Sequence, residues 1–234
     1  MSAEVLEYLS NAVKMRKTLL ICGGTGAGKT TLLNALSSFI GAEERIVTVE
    51  DAAELRLSQL NVVRLEARPP NIGGKGEISI RDLVRNALRM RTDRIVVGEC
   101  RGGEVLDMLQ AMNTGHEGSL STVHANNTRD AIARLTTMLG MAGTVFSEDT
   151  IRSLITRAIQ VVVHVARMPD GIRRVTGVAE VMGYSAEGIQ MNDVFTFDRS
   201  GIGADGKLLG QHLRLNASIF DKGVDDIDLS RGDE

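Results

Sequence analysis

A chain of 234 residues that is 43% hydrophobic and 24% charged has the composition of a folded globular protein with one sizeable core. Its net charge of -3 and its few aromatic residues, none of them Trp, argue against bulk nucleic-acid binding, so no stable nucleic-acid binding is expected. Two cysteines without zinc-like spacing, no signal peptide and no apolar run long enough to cross a bilayer predict a cytoplasmic protein with free thiols.

The first part of the chain predicts a helix, a strand, a glycine-rich loop and a second helix. Apolar residues recur at helical spacing over residues 2–15, and residues 18–22 form a short apolar run. Residues 23–30 (GGTGAGKT) fit the pattern G-x-x-x-x-G-K-[ST], which marks a phosphate-binding loop when a strand precedes it and a helix follows. The apolar residues after the loop have that helical spacing, so the context is the expected one.

This loop predicts binding of a nucleoside triphosphate, ATP, with Mg²⁺. Backbone N–H groups of a glycine-rich turn point inward, and the following helix presents its positive end to the phosphates. Lys29 is expected to reach the β- and γ-phosphates and the Thr30 hydroxyl to hold Mg²⁺. The residues expected to contact the nucleotide are Gly24, Thr25, Gly26, Ala27, Gly28, Lys29, Thr30 and Thr31.

Strands then alternate with helices, which predicts a mostly parallel sheet covered by helices on both faces. Strands are predicted over residues 46–49, 62–65, 95–97 and 119–123, and a surface loop over residues 68–76. Helices are predicted from Ser79 with a capping box to Asp82, over residues 103–113, from Asn127 or Thr128, and over residues 147–159. The nucleotide-binding core with its leading helix is therefore assigned to residues 1–160.

The pattern changes near residue 160. Short alternating segments separated by turn signals predict antiparallel β structure over residues 161–220, either an extension of the sheet or a small appendage, and we assign it to the same domain as an extension. Residues 221–234 carry six acidic and two basic residues and little apolar content, which predicts a disordered tail.

Four predicted strands end in chemically active groups: the phosphate loop, Glu50 with Asp51, Glu99, and His124. The carboxyl ends of parallel strands share one edge, so these groups are expected to surround the triphosphate. Glu50 or Glu99 is the candidate for polarising the attacking water, and Thr30, Glu50 and Glu99 are the candidate Mg²⁺ ligands. The alternative is that Glu99 only begins the next helix, where an acid is favoured.

The histidines and arginines leave several alternatives open. His124 is expected to sense the γ-phosphate; His116 is placed in a loop near the same edge, where a metal pair with His124 lacks known zinc spacing. His164 and His212 are interpreted as structural. Two interpretations are open for the arginines of this region: one of them acts as an arginine finger, or they form a solvated face with acidic partners. These arginines are Arg81, Arg85, Arg89, Arg91 and Arg101.

These motifs together resemble the motor ATPases of bacterial type II and type IV secretion systems, closest to the CpaF-type ATPase of tight-adherence pili. The resemblance covers residues 18–184. It rests on the phosphate loop, on the family's "Asp box" at residues 46–55 (IVTVEDAAEL), on an atypical Walker B at residues 96–104 (VVGECRGGE) with glycine for the usual Asp, and on a "His box" at residues 118–127 (GSLSTVHANN). Branch signals are residues 68–71 (RPPN), 81–91 (RDLVRNALRMR) and 107–116 (DMLQAMNTGH).

The resemblance implies a RecA-like P-loop core, a homohexameric ring, and ATP hydrolysis that moves an inner-membrane platform protein from the cytoplasmic face. It implies a catalytic set of Lys29, Glu50, Glu99, Arg101 and His124. Family members carry an amino-terminal domain that this sequence is expected to lack, which makes it either an isolated motor domain or a naturally short version. The alternatives are a conjugative DNA-transfer ATPase, a nucleotide-gated binding module with little hydrolysis, and, least favoured, a small-molecule P-loop kinase.

Overall fold

A computed structural model describes residues 1–143 and 145–220 of the chain. The helices are α1 (Ala3–Lys14), α2 (Lys29–Ser37), α3 (Ile80–Ala87), α4 (Glu104–Met112), α5 (Thr128–Gly140) and α6 (Glu148–Ala158). The strands are β1 (Leu19–Cys22), β2 (Ile46–Glu50), β3 (Val62–Glu66), β4 (Arg94–Cys100), β5 (Leu120–Val123), β6 (Val161–Arg167), β7 (Arg173–Ser185), β8 (Gly188–Ile202) and β9 (Leu208–Arg214). The predicted acidic tail lies outside the described residues.

All of these strands form one sheet in the order β3-β2-β4-β5-β1-β6-β7-β8-β9. The pairs from β3 to β6 are parallel, and the pairs from β6 to β9 are antiparallel. Of the two open possibilities for the last part of the chain, the structure therefore has the sheet extension and not an appendage.

The change of strand direction occurs one strand later than predicted. Expecting antiparallel pairing from residue 161 was wrong for β6, which is parallel to β1 and antiparallel only to β7. The reason is that a helical connection ending in α6 precedes β6, and such a crossover lets β6 run in the same direction as the earlier strands. Val161, Val162 and Val163 are consequently buried on both faces of the sheet, as in the strands of the parallel core.

Local sequence signals set the starts of the helices that flank the site. Helix α3 begins with the predicted capping box, in which the Asp82 N–H donates to Ser79 Oγ (3.2 Å) and the Ser79 N–H donates to Asp82 Oδ2 (3.1 Å). Helix α5 is capped by Asn127, whose Oδ1 accepts the N–H of Asp130 at 2.7 Å. This decides between the two caps predicted for α5.

Two apolar clusters cover the two faces of the sheet. One cluster packs α3 to α6 against residues such as Leu20, Val97 and Val123, and the other packs α1 and α2 against residues such as Leu19 and Ile21. Each of the strands β1, β2 and β5 is buried along its whole length. No helix in the described part of the chain has the length and apolar character needed to cross a bilayer.

The sheet order brings the four chemically active strand ends together. β2, β4, β5 and β1 are consecutive neighbours, and their carboxyl ends carry Glu50, Glu99, His124 and the phosphate loop. Because all four strands are parallel, these groups lie at one edge of the sheet.

Candidate active site at the carboxyl edge of the sheet

The phosphate loop connects β1 to α2 through backbone conformations that require glycine. Gly26 and Gly28 have φ angles of 70° and 97°, a region in which residues with a Cβ atom are strained. A Cβ atom on Gly23 would lie 2.3 Å from the Val165 carbonyl oxygen of β6. The predicted arrangement of strand, loop and helix is present, and the glycines are required for reasons of conformation and close packing.

Lys29 is the cation at the centre of this loop. It is the first residue of α2, its side chain is buried, and its Nζ donates to the carbonyl oxygens of Gly23 (3.2 Å) and Gly24 (3.3 Å). The Glu99 Oε1 atom lies 3.7 Å from the same Nζ. Burial lowers the pKa of Lys29, and this effect outweighs the opposing effect of the Glu99 carboxylate.

A cavity of about 260 Å³ joins the loop to the groups on the neighbouring strands. All five residues of the predicted catalytic set line it, as do Thr25, Gly26 and Thr30 of the phosphate loop. Further lining residues are Asp51, Ala52, Glu54, Gly98 and Thr122. The polypeptide thus gathers acidic, basic and imidazole groups from four strand ends into one cavity.

Glu99 is the most extensively paired acid in this cavity. Its Oε1 lies 2.7 Å from His124 Nε2, and its Oε2 accepts a hydrogen bond from Arg101 Nε at 2.6 Å. Arg101 also reaches Asp51, with 2.9 Å between its terminal nitrogen and Oδ2. Glu99 lies inside β4, so the alternative that it merely begins the next helix is excluded.

His124 completes a triangle with Lys29 and Glu99. Its Nε2 atom lies 3.3 Å from Lys29 Nζ. Burial lowers the pKa of His124, the charge of Lys29 lowers it further, and the Glu99 carboxylate opposes both. The lowered pKa favours the neutral imidazole, in which one ring nitrogen donates a hydrogen bond and the other accepts one.

Glu50 explains why position 98 is a glycine. The Glu50 carboxylate is buried, and its Oε1 accepts the backbone N–H groups of Glu54 (3.0 Å) and Leu55 (2.8 Å). A Cβ atom on Gly98 would lie 3.1 Å from the Glu50 Cγ atom. Glycine at this position therefore leaves room for the Glu50 side chain, which lines the cavity together with Glu99.

A sequence model of the family described as type II/IV secretion system protein matches residues 1–195. The chain belongs to this family.

Named relatives and solved structures agree with that membership. The chain is 47% identical over 211 residues to a putative conjugal transfer protein of Mycobacterium tuberculosis, covering 90% of this chain and 58% of the relative. It is 44% identical over 172 residues to the type IV secretion system protein PtlH of Bordetella pertussis, covering 72% and 51%. The chain thus spans about half the length of these curated relatives.

Among solved structures, the VirB11 ATPase of the Brucella suis type IV secretion system superposes with a TM-score of 0.69 at 32% identity, over 76% of this chain and 52% of that one. The pilus retraction motor PilT with bound ADP gives a TM-score of 0.59 at 25% identity, over 80% and 52%. The predicted RecA-like α/β fold, with a mostly parallel sheet and antiparallel strands at its end, is confirmed. The predicted membership of the secretion ATPases is confirmed as well, whereas a particular closeness to the CpaF type stays a prediction.

Two of the arginines that were candidates for an arginine finger form ion pairs within the chain. Arg81 Nε and Arg85 Nε each donate to a different oxygen of Asp107 on α4, both at 2.6 Å. Arg89 and Arg91 are exposed and follow α3 toward the amino end of β4, away from the cavity. Arg101 is the candidate that lies in the cavity of its own chain.

The placement of His116 was wrong. Its carbonyl oxygen accepts the Ser119 hydroxyl at 2.7 Å directly before β5, and Arg94, the first residue of β4, donates to the neighbouring Gly118 carbonyl. The loop therefore lies at the amino edge of the sheet, whereas His124 lies at the carboxyl edge, so the two cannot share a metal. The error arose because a loop that precedes a strand reaches the opposite edge from one that follows it.

The other two histidines and the thiols are structural. His164 Nδ1 lies 2.6 Å from Thr176 Oγ1, and His212 Nε2 lies 2.9 Å from the Val175 carbonyl oxygen. Cys22 and Cys100 are free and buried, and burial raises the pKa of each thiol to about 12. Within residues 1–143 and 145–220, no group of three or more His, Cys, Asp or Glu side chains is arranged to hold a metal by itself.

One residue at the loop was not predicted from the sequence. Arg173 of β7 donates from Nε to the Gly26 carbonyl oxygen at 2.9 Å, although the two residues are 147 positions apart. The sequence signal available was the arginine pair 173–174 directly after the turn at residues 169–171, but only the sheet order shows which arginine faces the loop.

We expect Gly98→Ala to lower the free energy of unfolding by about 1–2 kcal/mol, because the added methyl group would overpack the anchored Glu50 side chain. The shift of the urea midpoint measures this change. Gly24→Ala is the matched control, because a Cβ atom there would meet no heavy atom within 4 Å. Equal midpoints for the two variants would contradict the steric explanation of Gly98.

Proposed function

We propose that the chain is the ATP-hydrolysing motor domain of a bacterial secretion or tight-adherence pilus assembly machine. The observation that carries the proposal is the cluster formed by Lys29, Glu99 and His124, whose side-chain atoms approach within 2.7–3.7 Å at the end of a phosphate loop. A cation for the phosphates, a carboxylate for water and an imidazole between them are the groups that phosphoanhydride hydrolysis requires. The test is Mg²⁺-dependent release of phosphate from ATP by the purified chain.

The phosphate loop and four charged or imidazole side chains of the cavity have distinct roles in this proposal. The loop residues Gly24 to Thr31 cradle the phosphates with their N–H groups, and Lys29 stabilises the negative charge that develops on the γ-phosphate. Glu99 accepts a proton from the attacking water, and His124 links the γ-phosphate to Glu99. Arg101 holds Glu99 in position through its 2.6 Å hydrogen bond.

The residues of the cavity fit a magnesium ion bound together with the nucleotide. Mg²⁺ in such sites is held by one or two protein oxygens, substrate phosphates and water, so a cage made only of protein is not needed. The Thr30 hydroxyl and the carboxylates of Glu50 and Glu99 line the cavity as oxygen donors. When bound, the ion neutralises charge on the β- and γ-phosphates.

The work of the motor is proposed from the family. The relatives and solved structures named above include a type IV secretion protein, a VirB11 secretion ATPase and a pilus retraction motor. We place the chain in a homohexameric ring at the cytoplasmic face of the inner membrane, where ATP hydrolysis moves a membrane platform protein. The CpaF type is favoured because the sequence segments at residues 68–71, 81–91 and 107–116 match that branch.

We expect a non-hydrolysable ATP analogue with Mg²⁺ to shift the mass in solution from 25.2 kDa toward roughly 150 kDa, six copies of the chain. Light scattering after size exclusion measures this mass. Lys29→Ala serves as the control, because it should remain a monomer under the same conditions. A mass that stays at one copy while the analogue is bound would contradict ring formation by this part of the protein.

A conjugative DNA-transfer ATPase is the second candidate, because the Mycobacterium tuberculosis relative carries a conjugal transfer name. The net charge of -3 and the absence of Trp speak against a strong nucleic-acid surface. Stimulation of phosphate release by DNA would favour this candidate. A nucleotide-gated binding module remains the alternative if the chain binds ATP without turnover.

A further inference from the structure

Arg173, in the antiparallel extension of the sheet, contacts the phosphate loop. Arg173 Nε donates to the Gly26 carbonyl oxygen at 2.9 Å. A Cβ atom on Gly28 would lie 2.8 Å from Arg173 Cδ and 3.7 Å from Nε, so the stem of the side chain lies flat against the loop backbone. The hydrogen bond to Gly26 and the close approach to Gly28 therefore place the Arg173 side chain along this flank of the loop.

The adjacent arginine has a structural role on the other side of the strand. Arg174 forms a bidentate ion pair with Asp170 at 2.9 and 2.8 Å, and its guanidinium lies 5.5 Å from the centre of the Phe197 ring. Successive side chains of a strand point to opposite faces, which separates the two arginines. Arg173 is exposed, and among the described residues its terminal amino groups have no hydrogen-bond partner.

The direction of the nucleotide in the loop follows from the position of the cavity. In the proposed function the γ-phosphate lies beside Lys29, Glu99 and His124, on the side of β4 and β5. The nucleoside end must then leave the loop on the opposite flank, toward β6 and β7. Arg173 of β7 lies on that flank.

We propose that Arg173 is a nucleotide-binding residue whose guanidinium group stacks on the base of the bound purine nucleotide. This inference rests on the proposed function and adds the nucleoside subsite to it. Guanidinium groups stack on aromatic faces, and here the Gly26 carbonyl already holds the group in one orientation.

The test measures by calorimetry how tightly the purified chain binds two ligands in the presence of Mg²⁺. One ligand is ATP, and the other is inorganic tripolyphosphate, which has the phosphates but no nucleoside. Arg173→Ala should weaken ATP binding about 10-fold and tripolyphosphate binding less than about twofold, because of the two ligands only ATP has a base on which the guanidinium group can stack. Arg173→Lys keeps the positive charge but lacks the planar guanidinium group, so it should weaken ATP binding nearly as much as Arg173→Ala does. The preference for ATP over UTP should fall in both variants, since a purine offers the larger stacking face.

Two controls separate this inference from the proposed function. Arg199→Ala removes the same charge from an exposed position of β8 and should leave both affinities unchanged. Lys29→Ala should weaken both titrants. Unchanged ATP affinity in Arg173→Ala, or an equal loss of ATP and tripolyphosphate, would overturn the inference alone. A wild-type chain that binds neither titrant would overturn the proposed function and the inference with it.

Discussion

Glu99→Gln should reduce ATP turnover at least ~100-fold while leaving ATP affinity within a few-fold of the wild type. Glutamine has the same shape as glutamate, and its amide oxygen can still accept the 2.6 Å hydrogen bond from Arg101. What it loses is the negative charge and the ability to accept a proton from water. Phosphate release and equilibrium binding, measured on the same preparation, separate these two properties.

The same substitution has a second consequence at His124. The Glu99 carboxylate, 2.7 Å from His124 Nε2, raises the pKa of the imidazole against the stronger effects of burial and of the Lys29 charge. Removing the carboxylate charge should therefore lower the pKa of His124 further. Titration of the His124 ring signals by NMR in the wild type and in Glu99→Gln measures this shift independently of turnover.

Glu117→Gln is the matched control, because Glu117 is at the opposite edge of the sheet, in the loop before β5. It should change neither turnover nor the pKa of His124. Wild-type turnover in Glu99→Gln would reject the water-activating role of Glu99. If Glu99→Gln lowers the pKa of His124 as expected but keeps wild-type turnover, the contact between Glu99 and His124 exists but another group activates the water.

Much of the fold could be predicted because its signals are local. The cap at Ser79 and the apolar spacing of the helices depend on residues a few positions apart, and the structure has both features. The gathering of Glu50, Glu99 and His124 could be predicted without contacts, because one rule about parallel strands places every strand end at one edge.

The features that were missed depend on geometry across the sheet. The direction of β6 is decided by its two neighbours, β1 and β7, and a run of buried valines is compatible with both directions. The close approach of Gly98 to Glu50 joins two strands that are adjacent only in the folded sheet. Arg173 reaches Gly26 because the antiparallel extension continues the sheet beyond β6, and its spacing in the sequence gives no indication of that contact.

Lys29→Ala should abolish phosphate release above background and weaken ATP binding roughly 10- to 100-fold, the range for a lost hydrogen bond between a charged group and its partner. In the folded chain the buried ammonium group is shared by the Gly23 and Gly24 carbonyls and lies 3.7 Å from Glu99. Burial lowers the pKa of Lys29, and the Glu99 carboxylate opposes this effect only in part. Bound phosphates would add further anionic partners, so the lysine contributes most when the nucleotide is present.

The measurement pairs phosphate release with calorimetric ATP binding, and circular dichroism verifies that the variant is folded. Lys207→Ala is the control, because it removes the same charge from an exposed position between β8 and β9 and should retain full turnover. Lys29→Arg keeps the charge but cannot place a compact ammonium between two carbonyls, so it should also fail in turnover. If Lys29→Ala releases phosphate as fast as the wild type, the measured hydrolysis does not arise in this cavity, and the proposed motor function is wrong.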